Sequence, residues 1–527
     1  MNIGMVNLLV CMSVASISQQ TYTNETVSVE SNISTKDVLV VLSTEESLKW
    51  KDYTVDDFKE VECTAVEDLT SSYKNQKILK KDFKRILKLS FGEKEVEEVY
   101  NIIDELSAKQ GIEYAGPNYE LIGEASNIDT TARYISRTVT SVDENWGIDR
   151  INVPEAKSLI EDCTKKDVYV GVLENGIDGS HFDLQPNISS NLSISFVEES
   201  NNYDENDESD PLFDYTSDSH GTMVAGIIAG NKNINEGTEG VCENAILVSL
   251  KINSSDGYDV LNQTPIVLNA DDLVMALNHA NEKDIRILNY SSAFNVYDYS
   301  IEIAVNNYSG LIVCGAGNDG KNIDNNYVYP ASFDTNNILV VGGIEQDNSI
   351  LSEIFIEYGV QVNICSNYGQ TNVDLFAPGA YIKSTTKNNS YDIECGTSFS
   401  APFVSGLAAM LLSIEEKTYS KHLSAAELKG IIMDSVDVTS GLANYCVTGG
   451  VVNAEKAVEL ALSYVPSFGY SQYDSVYHIV EPTYGENYFE EHSYLPFLDK
   501  MGTVTPYALP GLPKFKCEKC GALKVGL

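Results

Sequence analysis

The 527-residue chain carries 77 Asp and Glu against 35 Lys and Arg, a formal charge of −42, with 43% hydrophobic and 21% charged residues. That apolar share excludes a wholly disordered chain, and the length exceeds one ordinary domain. So acidic a surface repels phosphate backbones and anionic lipid, which argues against nucleic acid as a partner.

Residues 5–17 (MVNLLVCMSVASI) form an apolar run too short to span a bilayer, followed by small and polar residues. A signal peptide over 1–20 is expected, and with it a secreted or cell-surface chain. No later segment approaches transmembrane length, so no membrane span is expected in the mature chain. Residues 36–122 read as a small α/β unit. Its 38–42 and 86–89 runs are strand-like, 93–106 sets Val96, Val99, Ile103 and Leu106 on one helical face, and 111–120 ends it as an extended segment. Residues 123–144 read as an exposed linker.

From 145 to 465 the pattern changes. Short β-branched-rich runs at 168–173, 246–252, 285–288, 311–314 and 338–341 alternate with helical patterns, such as 270–282 with Leu273, Leu277 and Ala280 at helical spacing. Such alternation predicts an α/β fold, a mostly parallel sheet with helices on both faces. Residues 466–527 are a Tyr- and Pro-rich tail without periodicity. The ten cysteines are scattered and several sit inside apolar runs, as Cys314 does, so they read as small buried hydrophobes. Only Cys517 and Cys520 have metal-ligand spacing; a zinc site needs four ligands, and no metal site is assigned.

Three segments carry chemistry. The run 168–174 (VYVGVLE) closes on Glu174, whose carboxylate would emerge at the carboxyl edge of the sheet, where open α/β folds place their sites. His220 precedes Gly221, Thr222 and an apolar helical run. Ser398, within G-T-S-F-S-A-P at 396–402, opens a helix with Val404, Leu407, Ala408 and Leu411 as a core stripe. A serine hydroxyl needs a base to take its proton as it attacks, and a histidine base needs a carboxylate to hold its tautomer. A helix N-terminus aims backbone N–H groups at a developing oxyanion. Nearby Asp178 reads as a residue holding the turn after Glu174.

The H-G-T-M-V-A-G segment at 220–226 and the G-T-S-F-S-A-P segment, in that order, resemble the signatures of the subtilisin-like serine peptidases, the subtilases. Segments 240–251, 316–320 (AGNDG), 329–332 (YPAS), 366–369 (SNYG) and 376–379 (FAPG) agree with it. The resemblance covers 146–464. It implies a subtilisin-like three-layer sandwich, a secreted serine endopeptidase with Ser398 as nucleophile, His220 as general base and acid, and Asn318 in the oxyanion hole. No cofactor is required. A protein or peptide substrate would lie as an extended strand between Ser291, Ser292, Ala293 and Gly315, Ala316, Gly317. Residues 36–122 resemble the family's ferredoxin-like inhibitory propeptide, which would make the chain's own N-terminal region an intramolecular inhibitor released by cleavage within 123–144. Glu174 stands where the family has aspartate, so the sequence carries two readings: a working, slowed enzyme, or a pseudopeptidase that binds peptides or partner proteins. The acidic stretch 198–218 is compatible with a Ca²⁺ site or, more plainly, with a solvated loop.

Overall fold

Strands that lack a polar break are stable only where both faces are covered. The computed structural model describes residues 33–75, 82–122, 145–197, 210–214, 219–232, 237–253, 267–357, 360–414 and 423–463, and its central parallel strands meet that demand. It also describes three tail strands, Lys514–Cys517 pairing antiparallel with both Tyr494–Pro496 and Leu523–Val525. The expected signal peptide, the linker 123–144, most of the acidic stretch and Cys520 lie outside the described residues.

The N-terminal region contains β1 (Ile33–Leu42), β2 (Ala65–Asp68), β3 (Ile86–Ser90), α1 (Val96–Ser107) and β4 (Ile112–Ile122). The strands are antiparallel in the order β2-β3-β1-β4. That is the ferredoxin-like order, with a short helix at Thr44–Ser47 and a 3₁₀ segment at Val55–Val61 where the first long helix of that fold would lie. α1 packs Val99, Ile102, Ile103 and Leu106 onto the sheet. β1, the first element described, starts at Ile33, ahead of the expected start of the unit at 36.

The large sheet holds β5 (Val168–Glu174), β6 (Ile194–Ser195), β7 (Ala245–Lys251), β9 (Ile287–Tyr290), β10 (Leu311–Gly315), β11 (Ile338–Ile344), β14 (Leu375–Pro378), β17 (Asp437–Val438) and β18 (Gly450–Val451). It runs β17-β18-β14-β11-β10-β9-β5-β7-β6 and is parallel apart from the β17–β18 pair. Side chains alternate between two cores, as a pleated strand requires. Val170, Val172, Val313 and Val341 face α3 (His220–Ala229) and α6 (Thr397–Ser413), with α2 (Val153–Leu159), α7 (Ala425–Asp434) and α8 (Ala454–Ser463) completing that layer. Leu173, Val248, Leu250, Leu288 and Ile312 face α4 (Ala270–Glu282) and α5 (Tyr299–Asn307) on the other side. Three layers result. Two hairpins, β12 (Ser352–Glu357) with β13 (Val360–Cys365) and β15 (Ile382–Thr386) with β16 (Ser390–Glu394), lie outside the sheet.

The N-terminal unit is joined to this sandwich. Glu120, Leu121 and Ile122 of β4 pair antiparallel with Asn269, Leu268 and Val267 of β8 (Val267–Asn269), the strand that leads into α4. Asp271, on the first turn of α4, is buried. It takes an ion pair of 2.5 Å from Lys88 and a hydrogen bond of 2.8 Å from Asn118 Nδ2. Burial pulls Lys88 toward its neutral form, but the Asp271 carboxylate outweighs it and the ammonium titrates above its usual range. Tyr299 and Lys84 converge on Glu113, at 2.7 and 2.6 Å, and hold its carboxyl below the usual range against the opposing pull of burial.

Among the described cysteines none is bonded to another. Cys242, Cys314, Cys395 and Cys446 are buried as expected, whereas Cys63, Cys163 and Cys365 are only half-buried, the first two in connecting segments and the third at the end of β13.

Candidate active site

Glu174 ends β5, and its carbonyl accepts from Ile252 N at 3.1 Å, which fixes the backbone at the carboxyl edge of the sheet. The residue is 1% exposed. Its Oε2 lies 3.0 Å from His220 Nδ1, while Oε1 is buried with no hydrogen-bond partner among the described residues. A buried carboxylate at Nδ1 holds the proton there and leaves the basic lone pair on Nε2.

His220 is placed by its neighbours. Ser219, at φ +57°, turns the chain into α3 so that the imidazole sits on the first turn. Gly221 follows because there is no room for a side chain: a Cβ would lie 2.1 Å from the Gly176 carbonyl oxygen and 3.1 Å from Glu174 Cβ. Thr222 then ties three segments together. Its Oγ1 donates to Asp214 Oδ2 at 2.5 Å and accepts from Asp178 N at 3.0 Å, and its carbonyl accepts from Thr385 Oγ1 at 2.7 Å. Asp214, one of the residues of the acidic stretch that the structure describes, serves this turn. Asp178 accepts from Ser180 N at 2.9 Å and Asn388 N at 2.9 Å, so it holds the turn as expected. Among the described residues no group of three or more His, Cys, Asp or Glu could hold a metal ion.

Ser398 is the second residue of α6 and the one residue of that helix that is not buried. Four residues on, Pro402 has no N–H, so the Ser398 carbonyl lacks its helical partner. Ser291 Oγ supplies one, donating at 2.8 Å, and is itself fixed by Asn289 Nδ2 at 2.8 Å. The Ser398 hydroxyl donates to the Ser291 carbonyl at 3.1 Å. The imidazole lies beside this helix start, its ring 5.4 Å from that of Phe399. The structure therefore makes the acid–imidazole link, while the Ser398 hydroxyl, expected to be the nucleophile and able to turn about one torsion, is hydrogen-bonded to Ser291. Apo sites commonly show such looser arrangements before substrate arrives.

Asn318 stands on the loop after β10. Its Oδ1 accepts from Thr397 N at 2.9 Å and Thr397 Oγ1 at 3.1 Å, and Thr397 Oγ1 accepts from Gly317 N at 3.1 Å. The oxygen is committed to Thr397, and Gly396, at φ +148°, leaves the backbone open beside this amide: a Cβ there would be 3.6 Å from Nδ2 and 3.7 Å from Oδ1. Gly315 is glycine for a related reason, since a Cβ would press the Thr397 carbonyl at 3.1 Å. Gly315, Ala316 and Gly317 are buried, and Ser292 and Ala293 half-buried, along the two strand ends that flank Ser398. Sequence reasoning assigned no task to Thr397 or Pro402. Both lie in the G-T-S-F-S-A-P segment, so their signal was a helix start with a missing donor.

A carboxylate, an imidazole, a hydroxyl at a helix N-terminus and an anchored amide share one edge of the sheet. Residues 165–459 match the model described as the subtilase family. The chain belongs to the subtilase family. It is 31% identical over 296 residues to the Major intracellular serine protease of Bacillus subtilis (strain 168), 54% of this chain and 79% of that one. It is 28% identical to the Thermophilic serine proteinase of Bacillus sp. (strain AK1), over 76% of this chain and 82% of that protein. The Subtilisin-like protease 2 of Arthroderma otae is 30% identical, over 60% and 69% of the two chains. This subtilase is a serine-type peptidase acting on proteins. Among its described residues no helix is long and apolar enough to cross a membrane.

Proposed function

We propose that the chain is a working endopeptidase, exported and made as a self-inhibited precursor, in which Glu174 does the work of the family's aspartate. The observation that carries this reading is the 3.0 Å contact between Glu174 Oε2 and His220 Nδ1. Substrate arrival turns the Ser398 hydroxyl from the Ser291 carbonyl to the imidazole. Ser398 Oγ then attacks the scissile carbonyl carbon as His220 Nε2 takes its proton, and Glu174 stabilises the imidazolium. The oxyanion is received by Asn318 Nδ2 and the Ser398 N–H. The imidazolium passes the proton to the leaving amine, leaving an acyl-enzyme on Ser398, and water reverses the sequence.

Self-inhibition is supported by the β4–β8 pairing, which docks the end of the N-terminal unit on the catalytic sandwich, and by the Lys88–Asp271 pair. Cleavage within 123–144 would free β8 for a substrate strand. Export rests on the apolar stretch 5–17. The deciding experiment is labelling with a fluorophosphonate after removal of the N-terminal region, with Ser398→Ala as control, followed by digestion of a peptide library. Labelling and cleavage that vanish in the control are expected. Absence of both in the wild type would leave a peptide-binding pseudopeptidase, the reading favoured by the Ser398–Ser291 hydrogen bond if it does not yield to substrate.

A further inference from the structure

The loop that carries Asn318 has little regular structure of its own. Gly317 at φ +94° and Gly320 at φ +66° turn it twice through the left-handed region, so its peptide groups cannot pair along a strand. Buried peptide groups must still be satisfied, and the partner here is the segment 365–368. Cys365 N donates to the Asn318 carbonyl at 3.0 Å, Gly320 N to the Cys365 carbonyl at 2.8 Å, and Asn367 N to the Gly317 carbonyl at 2.8 Å.

The remaining groups converge on one side chain. Asn367 is 0% exposed. Its Oδ1 accepts from Asp319 N at 3.2 Å and Lys321 N at 2.7 Å, and its Nδ2 donates to the Ala316 carbonyl at 3.0 Å. One amide thus grips the backbone on both sides of Asn318, using its acceptor and its donor at once. Aspartate would keep the two accepted bonds but set an oxygen against the Ala316 carbonyl; serine is too short to bridge; an apolar residue would strand the buried Ala316 carbonyl and release the Asp319 and Lys321 N–H groups.

We propose that Asn367 is a positioning residue of the hydrolytic reaction, holding the loop so that Asn318 Nδ2 stays where the oxyanion forms. It touches no substrate and acts through Asn318. The inference rests on the oxyanion role proposed for Asn318, and the test separates the two. Full-length Asn318→Ala, Asn367→Ala, Asn367→Asp and the double Ala variant are prepared, with the N-terminal region removed in trans by a tagged wild-type chain that is then withdrawn. Turnover of a peptide p-nitroanilide gives kcat and KM, and thermal melts are run in parallel.

Removing one oxyanion donor lowers kcat about 10²–10³-fold, and a displacement near 1 Å costs about 10²-fold. Asn318→Ala is therefore expected to lose kcat in the first range. Asn367→Ala is expected to lose at least about 10-fold in kcat with KM within about 3-fold of wild type, and Asn367→Asp to fall between the two. The decisive comparison is the Asn318→Ala background, where adding Asn367→Ala should change kcat less than about 3-fold. If Asn367→Ala lowers kcat by the same factor in both backgrounds, the residue is only structural and the proposal fails. If Asn367→Ala does not fold, Asn367→Asp in the two backgrounds decides by the same rule. An Asn318→Ala chain with wild-type kcat would instead overturn the oxyanion reading itself.

Discussion

Shortening the acid by one methylene should slow this enzyme, although it restores the family's usual residue. In the structure Glu174 Oε2 already reaches His220 Nδ1 at 3.0 Å, a normal hydrogen bond. The backbone cannot follow a retreating carboxylate. Glu174 is held in the β5–β7 ladder opposite Lys251, its carbonyl is bonded to Ile252 N, and its Cβ borders the position of Gly221. Glu174→Asp withdraws the oxygens by roughly 1.5 Å, one C–C bond, and stretches the contact beyond hydrogen-bonding range. Misplacement of about 1 Å costs about 10²-fold, or about 2.7 kcal/mol at 1.36 kcal/mol per tenfold. Glu174→Gln keeps the length but loses the charge and the tautomer control, worth about 10⁴-fold where a triad acid is replaced by its amide. With kcat/KM measured on a peptide p-nitroanilide, the expected order is wild type, then Glu174→Asp about 10²-fold down, then Glu174→Gln about 10⁴-fold down. An aspartate variant as fast as wild type, or faster, would refute the claim that this backbone is fitted to glutamate.

Lys88→Met leaves Asp271 buried without its cation, a loss of about 3–5 kcal/mol for a broken buried pair; activity should appear at least about 10-fold sooner in the full chain, followed by fluorophosphonate labelling of Ser398, and an unchanged time course would refute a role for the pair in inhibition. Gly221→Ala puts a methyl onto the Gly176 carbonyl; it should cost about 1–3 kcal/mol by overpacking, seen as a lower Tm, and slow turnover as His220 shifts. Asp437 is pushed up by burial, but Lys456 at 2.7 Å, Asn453 at 3.1 Å and Arg150 at 3.2 Å prevail and its carboxyl titrates below the usual range. A depressed carboxylate stabilises above its unfolded pKa of about 3.9 and loses that contribution as pH falls through the lower folded value. Urea titrations should therefore find Asp437→Asn less stable than wild type at pH 7 and the difference shrinking below about pH 4; an equal gap at pH 3 would contradict the assignment.

Much of this architecture was legible because parallel strands buried on both faces must be apolar throughout. The runs near 168, 246, 311 and 338 all became strands, and the pattern at 270–282 coincides with α4. Motif residues were legible because Glu174, His220 and Ser398 lie at element ends, where periodic and non-periodic sequence meet. What stayed hidden was tertiary. β8 is three residues long and carries no signal until β4 lies against it. The half-buried state of Cys63, Cys163 and Cys365 depends on how connecting segments pack, which local sequence does not encode. α6 was expected to bury one stripe, yet it is buried on every side but Ser398, because helices and sheet close around it together. Which partner the Ser398 hydroxyl takes depends on a carbonyl more than a hundred residues away, and no local pattern encodes that.

The burial of α6 ties turnover to the condition of the interior. Its far turns, Leu407 and Met410 among them, are buried, and the same helix begins beside the hydroxyl proposed to attack the substrate. A void opened beneath those turns would be felt at the other end as a nucleophile slightly out of aim, long before the chain lost its shape. Peptide hydrolysis is thus a gauge of how well the deepest layer of the protein is filled.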